Sequence, residues 1–240
     1  MKVVILAGGR GTRLHEETKN IPKPMVKIGG KPILWHIMKI YSSYGIKEFI
    51  ICCGYKKKII ENYFKRYKLS KNKENWKVIL VDTGKDTMTG GRLKSVKRLI
   101  SKEKFFFFTY GDGLSDVNIK KLINIHLKKK KLATVTAARP PGRYGVLNIK
   151  KSMVEKFSEK AKGGDGYING GFFILSPKVL NLINSDKTTW EQEPMLKLAK
   201  KKQLMAYKHD GFWQSMDTYR DKLQLEELWK NKNAKWKIWK

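Results

Sequence analysis

Between residues 3 and 25 the chain reads VVILAGGRGTRLHEETKNIPKPM: an apolar strand, a loop of glycines and arginines, then Pro-Lys-Pro. Gly8, Gly9 and Gly11 let backbone N–H groups approach a phosphate chain without side-chain interference. Arg10 and Arg13 add guanidinium forks matched to phosphate oxygens, and Lys23 adds a compact positive charge. Together they suit a polyanionic small molecule, most simply a nucleoside triphosphate. A dinucleotide fingerprint is excluded, because Leu14 stands where the third glycine of G-x-G-x-x-G belongs. A P-loop is excluded too, since Gly11-Thr12-Arg13 does not close as Gly-Lys-Ser/Thr.

Further along, Asp112 sits in TYGDG at the end of an apolar run, between Gly111 and Gly113. A carboxylate there, with ligand room on both sides, is placed to hold a hard cation such as Mg²⁺. The alternative is an Asx turn capping the next helix, a role that Asp116 fits better. Asp217, in FWQSMDT, is either the second metal carboxylate or the N-cap of the helix behind it, and the residue types leave the two readings level. In FSEKAKGGDGYINGGFF, Lys160 beside a glycine-rich turn can bind phosphate and Glu159 can accept sugar hydroxyls. Asn169, followed by Gly170 and Gly171, offers a hydroxyl-binding amide close to backbone. His15, His36, His126 and His209 lie in unrelated contexts, and no Ser–His–Asp or Cys–His pattern suggests a covalent intermediate. Cations, a metal and a phosphate loop imply direct displacement at phosphorus, driven by positioning and charge neutralisation.

These residues must be positioned by an alternating chain. Strands are predicted at 3–6, 48–52, 78–81, 105–110 and 133–138, with helices at 33–44, 56–67, 93–100 and 117–129 between them. Runs such as VVIL, FIIC, VILV and FFFF are apolar throughout, as expected of strands covered on both faces. The fold class is therefore α/β, a Rossmann-like, mainly parallel mixed sheet flanked by helices, with ligands at the strands' carboxyl ends. The second half is less regular: strands at 168–174 and 204–208, helices at 190–201 and 218–229, and turn-rich stretches at 140–145 and 163–171. A polar stretch at 68–75 reads as a surface loop. We expect one domain over 1–240, with a nucleotide-binding half to about residue 130 and a sugar-phosphate-binding half from about residue 131.

The formal charge of +31 invites a nucleic-acid reading. The charge is nearly all lysine, scattered along the chain with short runs at 56–58, 128–131 and 200–202 on or near predicted helices, where solvated faces are the usual explanation. No helix-turn-helix, zinc or RNA-binding signature accompanies it, so no specific nucleic-acid partner is expected. No apolar run approaches the roughly 20 residues of a membrane span, and no signal-peptide pattern opens the chain. The cytoplasm is the expected compartment. Cys52 and Cys53 are adjacent in a predicted strand and point to opposite faces, which argues for two buried thiols rather than a disulfide.

With LAGGRGTRL and PKPM on the page, the chain resembles the sugar-nucleotide nucleotidyltransferases. The blocks KPMVKIGGKPILWHIMKIYSSYGI, FIICCGYK, TYGDGLSDV, LATVTAARPPGRYG, INGGFFIL, WEQEPM and GFWQSMDTYRDK carry the resemblance along nearly the whole length. It implies the nucleotide-diphospho-sugar transferase fold, CTP and glucose 1-phosphate as substrates, Mg²⁺ as cofactor and a homo-oligomer. Relatives that take UTP or dTTP, and a non-catalytic nucleotide-sensing paralogue, are the alternatives. By resemblance, Leu6, Ala7, Gly8, Gly9, Arg10, Gly11, Thr12 and Arg13 would cradle the nucleotide, with Arg13 on the leaving pyrophosphate and Lys23 on the reacting phosphates. Thr89 and the following glycines, Gly91 among them, in MTGGRLK, would face the base, with Arg92 or Lys94 supporting that pocket and Gly111 and Gly113 beside the nucleotide. Asp112 and Asp217 would hold the metal, and Gly145, Glu159, Lys160 and Asn169 the sugar phosphate. Arg13, Lys23 and Asp112 would be catalytic. Three departures stand out. Ile21 replaces a lysine of the usual KPKPM, and Ala161 follows Lys160 where proline is common. The segment after Phe64 is shorter by on the order of 15 residues, which leaves the family's particular assembly open.

Overall fold

The computed structural model describes residues 1–70, 74–140, 146–150, 153–158 and 166–239. Its strands are β1 (Lys2–Ala7), β2 (Lys27–Ile28), β3 (Lys31–Pro32), β4 (Glu48–Cys53), β5 (Lys77–Asp82), β6 (Phe106–Tyr110) and β7 (Gly113–Ser115). They continue as β8 (Ala133–Ala138), β9 (Val146–Lys150), β10 (Met153–Ser158), β11 (Ile168–Asn169), β12 (Phe173–Leu175), β13 (Leu204–His209) and β14 (Trp213–Ser215). The helices are α1 (His15–Thr18), α2 (Ile33–Ser42), α3 (Lys57–Leu69), α4 (Thr89–Ser95), α5 (Lys97–Ile100), α6 (Ile119–Lys129), α7 (Glu193–Lys200) and α8 (Tyr219–Lys230).

The central sheet runs β5-β4-β1-β6-β12-β8, with β11 also on β8 and β13 on its far edge. Pairings from β5 through β6 are parallel, as is β8 with β13, whereas β11 and β12 run antiparallel to their neighbours. The sheet is thus mixed and mainly parallel. Period-two alternation sorts its side chains into two cores. Val3, Ile5, Phe49, Ile51 and Phe107 face α2, α3 and α6, where Ile37, Ile60, Phe64 and Leu122 meet them. Val4, Leu6, Ile50, Cys52, Phe106 and Phe108 face α4, α5 and α7, packing on Leu93, Ile100 and Leu198. Both cysteines are buried free thiols, and burial pushes their pKa values up.

Several element boundaries differ from the sequence reading, and each difference has a local cause. The strand expected at 168–174 is two strands, β11 and β12, whose register against β8 shifts by two between Asn169↔Ala137 and Ile174↔Thr134. The looped residues include Gly170 and Gly171, so the break sits where pairing is weakest and leaves Asn169 at the strand end. The helix expected from 93 starts at Thr89, because Gly90 and Gly91 pack on backbone at 186–188: both N–H groups donate to the Thr188 carbonyl. It is also interrupted at Val96. The helix expected from 190 starts only at Glu193, with Pro194 in its first turn, which leaves Trp190 and Glu191 in the preceding turn. The β7–β14 pair has no counterpart in the sequence reading at 113–115. At 68–75, α3 extends to Leu69, and residues 71–73 lie outside the described ones.

Candidate active site

The site gathers at the carboxyl edge of the parallel strands, where β11, running the other way, sets Asn169 opposite Ala137 near the end of β8. The loop after β1 carries Gly8 to Arg13, the end of β6 carries Tyr110 to Asp112, and β11 ends in Asn169. The two-stranded β7–β14 pair then fixes the second carboxylate. Ser215 pairs with Gly113, and the Met216 N–H donates to the Asp112 carbonyl at 2.8 Å, so Asp217 is brought beside Asp112. Neither acid caps a helix. Asn118 caps α6, and Thr218 caps α8 in a capping box with Asp221. Asp116, expected as the α6 cap, instead accepts the Phe212 N–H at 2.8 Å and pairs with His209 at 3.0 Å.

Lys23 lies between the two carboxylates, its ammonium 3.0 Å from Asp112 Oδ2 and 2.8 Å from Asp217 Oδ1. It is only 7% exposed, in a short 3-10 turn set by Pro22 and Pro24. Burial works against its charge, but the two carboxylates outweigh burial and raise its pKa. Asp217 shows the reciprocal effect: burial favours its neutral form, yet Lys23, Ser215 and Arg13 together hold its pKa below the ordinary value. Arg13 reaches Asp217 at 2.9 Å, and Ser215 Oγ donates to the other oxygen at 3.0 Å. Two anions and two cations therefore meet at one point above the glycine loop.

A cleft of about 610 Å³ opens over this point, a size suited to a nucleotide-sized ligand. Leu6, Ala7, Gly9, Gly11, Thr12, Arg13 and Lys23 line it from one side. Thr89, Arg92, Gly111, Asp112, Asn169 and Asp217 complete the expected residues that face it. The other expected residues are placed differently. Gly8 begins the loop and is buried against the Arg92 guanidinium, which an added Cβ would overlap. Arg10 is turned outward to Asp86 at 2.6 Å. Gly91 is buried against the Asp186 backbone, with room for no side chain. Lys94 points away from the cleft, its ammonium donating to the carbonyls of Ile183 and Asn184 at 2.7 and 3.0 Å. Gly113 belongs to β7. Gly145, Glu159 and Lys160 lie outside the described residues.

Arg92 faces the cleft but is spent on the scaffold. It is 4% exposed, and its guanidinium donates to Gly84 O and Thr83 Oγ1 at 2.7 Å and to Gly8 O at 3.0 Å. It thereby ties the ends of β1 and β5 together under the glycine loop. The site also contains residues that residue types did not single out: Tyr110, Glu191, Trp213, Met88 and Ser215. Glu191 was hidden by the misplaced start of α7. Tyr110 read as the last residue of an apolar strand. Trp213 and Ser215 became visible only with the β7–β14 pairing.

The family model described as nucleotidyl transferase matches residues 2–235. The glucose-1-phosphate cytidylyltransferase of Salmonella typhimurium is 55% identical over 256 aligned positions that cover all of both chains. Among solved structures, HddC from Yersinia pseudotuberculosis superposes with a TM-score of 0.74 at 29% identity, over 95% of this chain and 99% of that one. The same protein complexed with GMP-PN gives 0.73 at 30% identity. A UDP-glucose pyrophosphorylase complexed with UDP-glucose, at 20% identity and a TM-score of 0.71, shares the fold.

Proposed function

Because the chain belongs to the nucleotidyl transferase family, we propose that it joins CTP to α-D-glucose 1-phosphate, giving CDP-glucose and pyrophosphate. The observation that carries this reading is the Asp112–Lys23–Asp217 cluster set over a glycine loop in one cleft. The choice of CTP and glucose 1-phosphate is supported by the 55% identical cytidylyltransferase from Salmonella typhimurium.

In this reading a phosphate oxygen of the sugar phosphate attacks the α-phosphorus of CTP in line. The bond from that phosphorus to the bridging oxygen breaks, and its electron pair leaves with pyrophosphate. The loop amides at Gly9 and Gly11 hold the triphosphate, and Arg13 meets the charge growing on the leaving group. Lys23 neutralises the phosphates at the reacting centre, exchanging its present carboxylate partners for phosphate oxygens. Covalent attachment to the protein is unnecessary.

Asp112 and Asp217 fit Mg²⁺. Their oxygens converge on a single ammonium, so the two face a common point. Among the described residues no third His, Cys, Asp or Glu joins them, which leaves the remaining positions to phosphate oxygens and water, as Mg²⁺ prefers. When bound, the ion would neutralise phosphate charge and polarise the α-phosphoryl group. Ser215, bonded to Asp217, would orient that ligand. In this reading the product serves CDP-linked deoxyhexose and surface polysaccharide synthesis, from a cytoplasmic homo-oligomer. Among the described residues, no helix is long and apolar enough to cross a membrane.

The test is pyrophosphate release with glucose 1-phosphate and Mg²⁺, offering CTP, UTP, dTTP, ATP and GTP separately. Release with CTP well above the others is the expected result. Release with UTP or dTTP alone would discard the base assignment and keep the chemistry, while silence with all five would favour a nucleotide sensor.

A further inference from the structure

Behind the metal carboxylates the cleft has a wall of hydrogen-bonded side chains with a defined polarity. Asn169 Oδ1 accepts the Gly171 N–H at 3.0 Å, which fixes the amide so that Nδ2 donates to the Tyr110 hydroxyl at 3.1 Å. That hydroxyl donates in turn to Glu191 Oε1. On the other side the Trp190 N–H donates to Thr89 Oγ1 at 2.9 Å, and Thr89 Oγ1 donates to Glu191 Oε2 at 2.6 Å. Both hydroxyls are therefore committed, each accepting one bond and donating one. Burial, with Glu191 next, pushes the Tyr110 phenol far above its ordinary pKa, so the phenol keeps its proton and remains the donor.

Both hydroxyls donate to Glu191, and a carboxylate has nothing to donate. A carboxylate offers about four acceptor positions, of which the two hydroxyls use two. What it presents to the cleft is acceptor capacity alone, and a ligand must meet it with donors. Strand order says which end of the ligand that is. Along the sheet the β5 side carries the Thr87–Thr89 segment, β1 the phosphate loop, β6 Tyr110 and Asp112, and the β11 side Asn169. Asn169 thus lies across β6 from the β5 side, where the sugar would extend in the reaction proposed above; Tyr110 shares β6 with Asp112, and Glu191 bridges it to Thr89 on the β5 side. The ring of Trp213, held by its Nε1–H on Gly170 O at 2.8 Å, lines the same side and offers an apolar face beside the polar wall. A hexose has this dual character, with hydroxyl donors around its rim and C–H faces above and below.

We propose that Glu191, held in place by Tyr110 and Thr89, is a specificity-determining residue that accepts hydrogen bonds from hydroxyl groups of the hexose. This rests on the function proposed above. Turnover by the unaltered enzyme tests that function separately, so the two can fail independently.

The experiment is steady-state kinetics of E191Q, in the full chain, with CTP and glucose 1-phosphate each varied. An amide keeps the shape of the carboxylate, replaces one acceptor by a donor and removes the charge. The KM for glucose 1-phosphate should rise at least tenfold, while the KM for CTP and the CTP/UTP preference stay within twofold. E191D, which keeps the charge and withdraws the oxygens by one methylene, should show the same split more weakly, and it serves if E191Q does not fold. A changed CTP/UTP preference with an unaltered sugar KM would place Glu191 against the base and overturn the proposal. Unchanged constants for both substrates would reduce the wall to scaffold and overturn it equally.

Discussion

Replacing Arg92 by methionine should destabilise the protein by about 3 kcal/mol and weaken nucleotide binding at the same time. The guanidinium makes three bonds of 3.0 Å or less, to Gly84 O, Thr83 Oγ1 and Gly8 O. Two longer ones reach Lys85 O and Cys53 O at 3.2 and 3.4 Å. Charge-assisted bonds at about 1.5–3 kcal/mol each would put the gross loss at roughly 5–9 kcal/mol for the three short ones. Two terms reduce it. Methionine removes a buried cation whose desolvation costs several kcal/mol. Two of the acceptor groups also keep a partner: Gly8 O receives the Tyr55 N–H at 3.1 Å, and the Thr83 hydroxyl still donates to Cys53 O at 2.7 Å. Gly84 O alone loses its short donor outright. Urea unfolding followed by far-ultraviolet circular dichroism should therefore show a midpoint shift equivalent to about 3 kcal/mol, a large part of the roughly 5–15 kcal/mol typical of a domain. The KM for CTP should rise because the glycine loop loses its tie to β5. R92M within about 0.5 kcal/mol of the unaltered protein would refute the reasoning, showing that the bonds only balance the burial of the charge. A large KM change without any loss of stability would mean that Arg92 touches the nucleotide itself.

The carboxylates and the His209 cluster give two more expectations. Asp112→Asn and Asp217→Asn should each abolish most turnover while the circular dichroism spectrum stays unchanged; rates near those of the unaltered enzyme in either variant would sink its assignment to the metal. His209 Nε2 lies 3.0 Å from Asp116, 3.1 Å from Phe212 O and 3.1 Å from Ser115 Oγ. Burial disfavours its charge, but Asp116 and the Phe212 carbonyl outweigh burial and raise the pKa above 6.5. A raised folded-state value means that the stabilisation is complete below the unfolded value, about 6.5, and is lost as pH climbs through the folded value. Melting temperature should fall over that interval in the unaltered protein, and His209→Gln should remove that part of the slope. An equal slope in the variant would locate the titration elsewhere.

How much of this was legible in the sequence depended on whether a signal was local. The alternating apolar runs gave the sheet and its flanking helices, because continuous burial on both faces leaves a pattern within a few residues. The glycine loop, Lys23 and Asp112 stood out for the same reason. Asp217 stood out only with two readings level, metal carboxylate or helix N-cap, because its nearness to Asp112 depends on β7 and β14, two three-residue strands far apart in the chain whose pairing no local pattern announces. Arg92 was visible as a cation near a glycine pair, but not as a residue consumed beneath the loop. That depends on Gly8 and Gly84 converging on it from different strands. Lys94 shows the same limit from the other side, since only the packing of 183–184 against α4 decides which way its ammonium points.

The cluster around Lys23 also explains why a net charge of +31 and a specific anion site are separate matters. Lys23 is buried and has two carboxylate partners, and Arg13 shares one of them. In the proposed reaction each of these cations would exchange one anionic partner for another on binding a triphosphate, and for Lys23, the buried one of the two, the cost of burying its charge would already have been met in folding. The carboxylates thereby released would face the same point, and two oxygen donors left together there would favour a divalent cation over a return to the resting pairs. In the proposed reaction, nucleotide and metal binding would support one another through Lys23, which cannot serve the phosphates and both acids equally well at once. The surface lysines take no part in that exchange. They can attract polyanions from a distance, with a strength that falls as salt is added, but they do not distinguish one polyanion from another.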